Sequence, residues 1–156
     1  MSYLSVLPLA DAKNYLRIDD TLSEDDNRIT SMIKASLSMI ERRTNILVYA
    51  RSKNFLFQDY CVKVYDYPIN DLITPADATE IEMELYSIFE TDNSDNKVLT
   101  LNVGYETPSD VPAEIIEFAL EYIKYLYYDA ENNNGKPNEI PMYIQDGINQ
   151  MKRFII

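Results

Sequence analysis

Residues 114–129 read EIIEFALEYIKYLYYD, and what covers this one segment decides the fold. At 100° per residue, Glu114, Glu117, Glu121 and Lys124 fall in one narrow polar stripe, and roughly 220° of the remaining circumference is apolar or aromatic. A surface helix needs an apolar face of only about 100°. Ile115, Ala119, Ile123 and Leu126 form an aliphatic centre suited to the chain's own core. Phe118, Tyr122 and Tyr125 make an aromatic edge beside the acidic stripe, and tyrosine is a residue that interfaces use because it joins a large apolar area to a polar tip. The reading is that this edge meets another subunit. The alternative is that a mixed fold wraps the helix from three sides within one chain.

Upstream, LPLADAKNYLRI places Leu9, Ala12 and Leu16 at helical spacing, and Pro8 suits the first turn, which predicts a helix over about 8–17. In DDTLSEDDN, Thr21 with Glu24 or Ser23 with Asp26 has capping-box spacing, and the carboxylates suit the positive end of a following helix dipole. That second helix carries Ile29, Ile33, Leu37 and Ile40 in one stripe and stops near Asn45. From Ile46 to Tyr105 the period falls to two, in NFLFQDY, CVKVYDY, IEMELYSIF and VLTLNVGY, as in antiparallel strands. YPINDLITPADAT, punctuated by Pro68 and Pro75, reads as a long loop. Pro112 opens the quoted helix, ENNNGKPNEIP ends it, and Ile144, Ile148, Met151 and Ile155 return at helical spacing. The pattern predicts an α+β fold: mostly a helical bundle (two N-terminal helices, one long central helix, a C-terminal helix or tail) with an inserted antiparallel β-sheet. A single domain spans 1–156, helical over 1–45, β-strands over 46–107, a long helix over 111–130, a flexible loop over 131–141 and a C-terminal helix or tail over 142–156.

A chain of 156 residues is long enough for one domain with a proper core. No apolar run approaches the ~18 residues needed to span a bilayer, and the start lacks the basic and apolar regions of a secretory signal, so no membrane is expected. Cys61 has no partner for an intrachain disulfide or a thiolate zinc site and reads as a small apolar strand residue. With no His and only three Gly, catalysis, phosphate loops and cofactors start from a weak position. The reading is therefore not an enzyme, with no catalytic residue, no cofactor and no metal.

Two acidic patterns come nearest to a ligand site. Asp92, Ser94 and Asn96 match the first three positions of a calcium loop, yet no Gly follows at the sixth place and Val103 stands where the bidentate Glu belongs, so the segment reads as a solvated turn. Asp19, Asp20, Asp25 and Asp26 read as cap and dipole residues.

The net charge of -12 is uneven. Residues 79–156 carry most of the acid, whereas Arg28, Lys34, Arg42, Arg43, Arg51 and Lys53 are opposed between Asn27 and Gln58 only by Glu41. This basic segment lacks the density of a phosphate-tracking surface and is expected to meet acidic protein.

LPLADAKNYLRIDD, a capped second helix ending ERRTN, a strand ending NVGYET and VPAEIIEFALEYIKYLYYD directly after it give an order that resembles the tailed-phage head-tail connector family, also called adaptor or head-completion proteins. The likeness spans about residues 5–130. It implies a structural virion protein: a ring of copies, commonly about twelve, docked on the portal protein and offering its far side to the next neck or tail component. Genomic DNA would pass through the hole without specific binding, and the protein would sit in the virion neck after assembly in the host cytoplasm. A ring of such acidic chains repels a phosphate backbone within a Debye length of ~10 Å, which suits a channel in which DNA slides.

Within such a ring the expected subunit interface is Phe118, Tyr122 and Tyr125 together with Arg28, Lys34, Arg42 and Arg43, the basic 28–53 segment meeting the acidic 80–131 region of a neighbour. Met151, Phe154, Ile155 and Ile156, in the apolar end MKRFII, are the expected docking residues for the portal or a neighbour, the alternative being that this end packs back on its own domain. The competing function is a small acidic inhibitor that mimics DNA and occupies the nucleic-acid site of a host enzyme. A carboxylate-dependent hydrolase is a weaker third.

Overall fold

The computed structural model describes residues 2–93, 95–129 and 140–151. Its elements run α1 (Tyr3–Val6), α2 (Leu9–Tyr15), α3 (Asp26–Thr44), β1 (Arg51–Leu56), β2 (Cys61–Val64), β3 (Ile69–Thr74), β4 (Thr79–Glu82), β5 (Ser87–Glu90), β6 (Val98–Val103), α4 (Ala113–Lys124) and α5 (Met142–Met151). A short 3-10 turn at Pro108–Asp110 precedes α4, and the last turn of α4 widens into a π-helical stretch over Tyr125–Asp129.

The helical core forms where the apolar stripes meet. Ile29, Ile33, Leu37 and Ile40 of α3 are fully buried against Ile115, Ala119 and Ile123 of α4, with Ala12 and Leu16 of α2 and Ile144 and Ile148 of α5 closing the sides. Each large aliphatic side chain so removed from water contributes about 1.5–3 kcal/mol. Helix α3 stops at Asn45, whose φ of 59° is left-handed and whose N–H donates to Glu41 O at 2.9 Å.

Its beginning differs from the expected capping boxes. The N-cap is Asp25, which makes no side-chain cap hydrogen bond. The carboxylates hold neighbouring elements instead: Asp25 accepts from the Tyr127 hydroxyl at 2.6 Å, and Asp26 lies 2.9 Å from Nζ of Lys13. Lys13, only 3% exposed, also donates to Asp20 O and Leu22 O at 3.1 and 2.6 Å, which pins the 17–25 loop over α2.

The expected mostly helical bundle with one inserted sheet is corrected here. The fold is α+β, but the strands form two three-stranded antiparallel sheets, ordered β1-β6-β3 and β2-β5-β4. These sheets enclose their own core of Leu47, Val64, Phe89, Leu99, Leu101 and Val103. Two local readings account for the difference. INDLIT is strand β3 rather than loop, because Pro68 and Pro75 fall just outside it and remove no donor from its ladder with β6, which carries irregularities between Ile69 and Asp71 and between Leu72 and Thr74. IEMELYSIF is not one strand: Met83 N–H donates to Tyr86 O at 2.9 Å and folds the segment into the β4–β5 hairpin, in register Ile81 with Ile88 and Glu82 with Ser87.

The chain passes from the sheet to the helical layer through NVGYET. Gly104 has φ +107°, and a Cβ there would overlap the carbonyl of Tyr49. Its N–H donates to Pro68 O at 2.7 Å and its carbonyl accepts from Asn70 at 2.6 Å, tying the start of β3 to the end of β6.

One carboxylate joins the two cores. Glu41, near the end of α3 and 7% exposed, accepts from Val48 N–H at 2.9 Å, from Arg51 at 3.1 and 2.8 Å, and from the Tyr3 hydroxyl at 2.6 Å. Arg51 lies 4.6 Å from the centre of the Tyr49 ring, and Tyr3 packs edge-on to the same ring at 5.0 Å. Glu41→Ala leaves these donors without an acceptor and is expected to lower stability by about 2–3 kcal/mol in denaturant unfolding. Glu41→Gln, which keeps one acceptor oxygen, is expected to lose less.

Candidate subunit-interface surfaces

The long helix finds most of its cover within its own chain. The Phe118 ring lies against Gly147 so closely that a methyl group on that glycine would overlap it, and Ile144 and Ile148 of the same α5 are buried alongside. Tyr125 is 9% exposed and stacks on Tyr122 with ring centres 6.2 Å apart and planes 16° from parallel. Tyr122 is half-buried; burial first, and then Tyr125, raise its pKa, while the charge of Arg43 pulls the other way. Of the aromatic edge read from the sequence, Phe118 lies under α5, Tyr125 is buried and Tyr122, stacked on it, is half-buried.

The cations of the basic segment separate into two groups. Arg51 is engaged by Glu41 at the junction of the two layers, and Lys53 by Asp66 within the β-layer. Asn27, Arg28, Ser31, Lys34, Ala35 and Arg42 are exposed and share the outward stripe of α3, in which no carboxylate falls. Arg28 lies 5.2 Å from the centre of the Tyr127 ring, and Arg42 Nε donates to Ser38 O at 3.3 Å. Arg43 lies off this stripe, half-buried on the side of Tyr122. Charge spacing made the patch visible in the sequence; only the helix shows which three cations share one face.

Besides the polar stripe of α4, acid gathers at one edge of the sheet layer. No Lys or Arg occurs between Lys63 and Lys97, and within that span every residue of β4 is exposed, Glu80 and Glu82 included. The exposed Met83 and Glu84 follow at the hairpin turn. The outward face of the β1–β6 pair is different again: Ser52 opposite Asn102, Asn54 opposite Thr100 and Leu56 opposite Val98 carry no charge, while Asp71 of β3 lies exposed opposite Asn102.

The acidic patterns serve structure. Asp19 accepts from Thr21 N–H and Oγ1 at 2.9 and 2.7 Å, bonds that hold its pKa below the usual carboxylate value. Asn96 donates to both Asp77 oxygens and to Thr91, closing the turn that resembled a calcium loop, with Ser94 outside the described residues. Among the described residues, no three His, Cys, Asp or Glu are grouped to hold a metal ion. Cys61 begins β2 and is exposed, at a cavity of about 620 Å³ lined also by Gln58, Tyr60 and Asp92. Met151 packs on the helical core, and Phe154, Ile155 and Ile156 lie outside the described residues.

One site gives no periodic signal in the sequence. Tyr15, Leu16 and Arg17 from the end of α2 meet Lys124 and Tyr128 of the α4 region around a cavity of about 480 Å³. Glu121 anchors it, accepting from the hydroxyls of Tyr15 and, at 3.3 Å, Tyr143.

The same fold occurs in chains of three solved structures. In the virion of a native gene transfer agent (GTA) particle, a chain with 13% identity superposes with a TM-score of 0.72. In the neck of an empty GTA particle computed with C6 symmetry the identity is 14% and the TM-score 0.74. In the neck of a native GTA particle computed with C12 symmetry they are 13% and 0.68. Each match covers 97% of this chain and 91% of the other. No family model and no curated protein matches the sequence.

The tyrosine contacts predict an alkaline limit. Burial, then the hydrogen bond to a carboxylate, raises Tyr3 and Tyr15 from the ordinary 10.0 to about 12. A raised tyrosine pKa favours the protonated folded state, so this stabilisation is complete below pH 10 and is lost as pH rises toward 12. In the Tyr3→Phe, Tyr15→Phe variant, unfolding followed between those limits is expected to show a flatter loss of stability than in the parent, checked by denaturant titration at successive pH values.

Proposed function

We propose that this chain is a structural protein of a virion neck: a ring adaptor of about twelve copies that docks on a portal protein, receives the next neck or tail component on its far side, and lets genomic DNA pass without specific binding. The observation that carries the reading is the likeness of fold over 97% of the chain to chains from GTA necks computed with C6 and C12 symmetry. The acidic charge supports it from a different direction, since a ring of chains each carrying -12 repels a sliding phosphate backbone. The protein would assemble in the host cytoplasm and remain in the neck, where its work is positional and involves no chemical step.

The subunit contact proposed is heterologous. The basic outward stripe of α3, with Arg28, Lys34 and Arg42, meets the acidic region 80–131 of the next copy, and Arg43 joins from the Tyr122 side. Phe118 and Tyr125 support this contact from beneath, and Tyr122 is the aromatic residue best placed to touch a neighbour. The segment from Met151 through Phe154, Ile155 and Ile156 is proposed to dock on the portal.

Mixing the protein with its portal and imaging the product by electron microscopy is expected to show a closed ring on the portal's outer end. A monomer that binds no portal but blocks a DNA-processing enzyme would establish the acidic inhibitor instead. Lys34→Glu, Arg42→Glu is expected to reduce ring formation at low ionic strength, where exposed charges are screened least. Removal of residues 151–156 is expected to abolish portal binding while the far-ultraviolet dichroism stays that of the folded chain.

A further inference from the structure

Helix α2 ends in a turn that closes on its own last carbonyls. Arg17 N–H donates to Asn14 O at 3.0 Å and Ile18 N–H to Lys13 O at 2.9 Å. Such a turn requires left-handed backbone at its middle residue, the position glycine usually takes, and here an arginine holds it with φ 59°. The exposed Arg17 side chain has no carboxylate partner among the described residues, so no local ion pair accounts for an arginine at a position that favours glycine.

What Arg17 does reach is the 480 Å³ cavity it shares with Lys124. The walls of that cavity are fixed. Tyr128 donates to Leu16 O at 2.7 Å, Tyr15 donates to Glu121, and Lys124 Nζ lies 5.9 Å from the centre of the Tyr15 ring. Arg17, and Lys124 whose ammonium lies 3.9 Å from Glu121 at the edge of the cleft, stand at the rim beside two tyrosine rings and suit a segment that carries carboxylates on either side of one flexible apolar side chain. The chain itself displays such a segment: Glu82, Met83 and Glu84 at the tip of the β4–β5 hairpin, all exposed, with Met83 43% exposed. The hairpin packs on β2 in the sheet core, whereas the cavity belongs to the helical layer. Plug and socket are therefore different patches of one molecule, the heterologous arrangement that repeats from copy to copy and forms a ring when its rotation closes.

We infer that the cavity between α2 and α4 is a socket for the β4–β5 hairpin of a second copy, with Met83 between Tyr15 and Tyr128 and with Glu82 and Glu84 against Lys124 and Arg17. The inference rests on the ring reading above and gives its acidic partner region a definite address. It also explains the arginine at the turn: the side chain is kept for the neighbour at some expense to the helix end.

The test uses two full-length proteins in a Cys61→Ser background, one carrying Arg17→Cys and the other Met83→Cys, mixed at low ionic strength under mild oxidation. A cross-linked dimer is expected only when both are present and is expected to disappear in high salt. A separate Arg17→Gly protein is expected to melt at or above the parent's temperature, because glycine relaxes the turn, yet to associate about fivefold more weakly, the worth of one exposed charge contact. If the parent forms rings, alone or on the portal, while the cross-link is absent and Arg17→Gly associates normally, the socket is overturned and the ring reading stands. If no assembly forms under any condition, both fall. An Arg17→Gly protein that loses melting temperature along with association assigns Arg17 to the fold and overturns the socket. Loss of binding to a short DNA duplex in Arg17→Gly, without cross-linking, overturns it in favour of a phosphate site.

Discussion

A carboxylate taken out of water must find donors, and the donors that Glu41 finds determine how the two layers meet. Val48 N–H fixes the path of the chain as it leaves α3, Arg51 fixes the first residue of β1, and Tyr3 brings α1 onto the same point. The aliphatic stripes of α3 and α4 would bury themselves in many relative arrangements, since burial is not directional. Glu41 supplies direction. With it in place the strand at 51–56 leaves at one angle, β6 pairs with it from Arg51 opposite Val103 to Leu56 opposite Val98, and the remaining strands follow.

The division into two cores makes the charge pattern intelligible. The helical layer turns a carboxylate-free stripe of α3 outward, while the sheet layer holds the stretch from Lys63 to Lys97 in which every intervening charge is negative. The basic stripe of α3 and the acidic edge at β4 are separate patches of one chain, an arrangement in which like copies can be complementary head to tail.

Much of this was legible in periodicity. The α3 stripe of Ile29, Ile33, Leu37 and Ile40 and the α4 centre of Ile115, Ala119 and Ile123 are all fully buried, because a 3.6-residue repeat of branched aliphatics has few other ways to leave water. Strand β3 was hidden because prolines at both ends of INDLIT look like loop punctuation, and nothing local reveals that the ladder begins after one and ends before the other. The hairpin in IEMELYSIF was hidden because its turn residues, Met83 to Tyr86, include none of the glycine, asparagine or proline that usually announce one. The width of the α4 apolar surface was read correctly, but Gly147 concealed its cover: a residue that weakens helix propensity is also one that lets a ring approach the backbone. Arg17 gave no signal because its significance lies in a backbone angle, and Lys124 gave none because its partner in the cavity is more than a hundred positions away.

The seam between Phe118 and Gly147 works as a key in a lock cut for one position. Sliding α5 by a single turn in either direction would bring a side chain, rather than a bare α-carbon, onto the ring, and the closeness of the fit leaves no room for that exchange. Traction applied beyond Met151 therefore meets the Phe118 ring before α5 can slip along α4. It is delivered to the Phe118 ring and through it to the centre of the helical layer, so that the final helix behaves as a strut and not as a swivel.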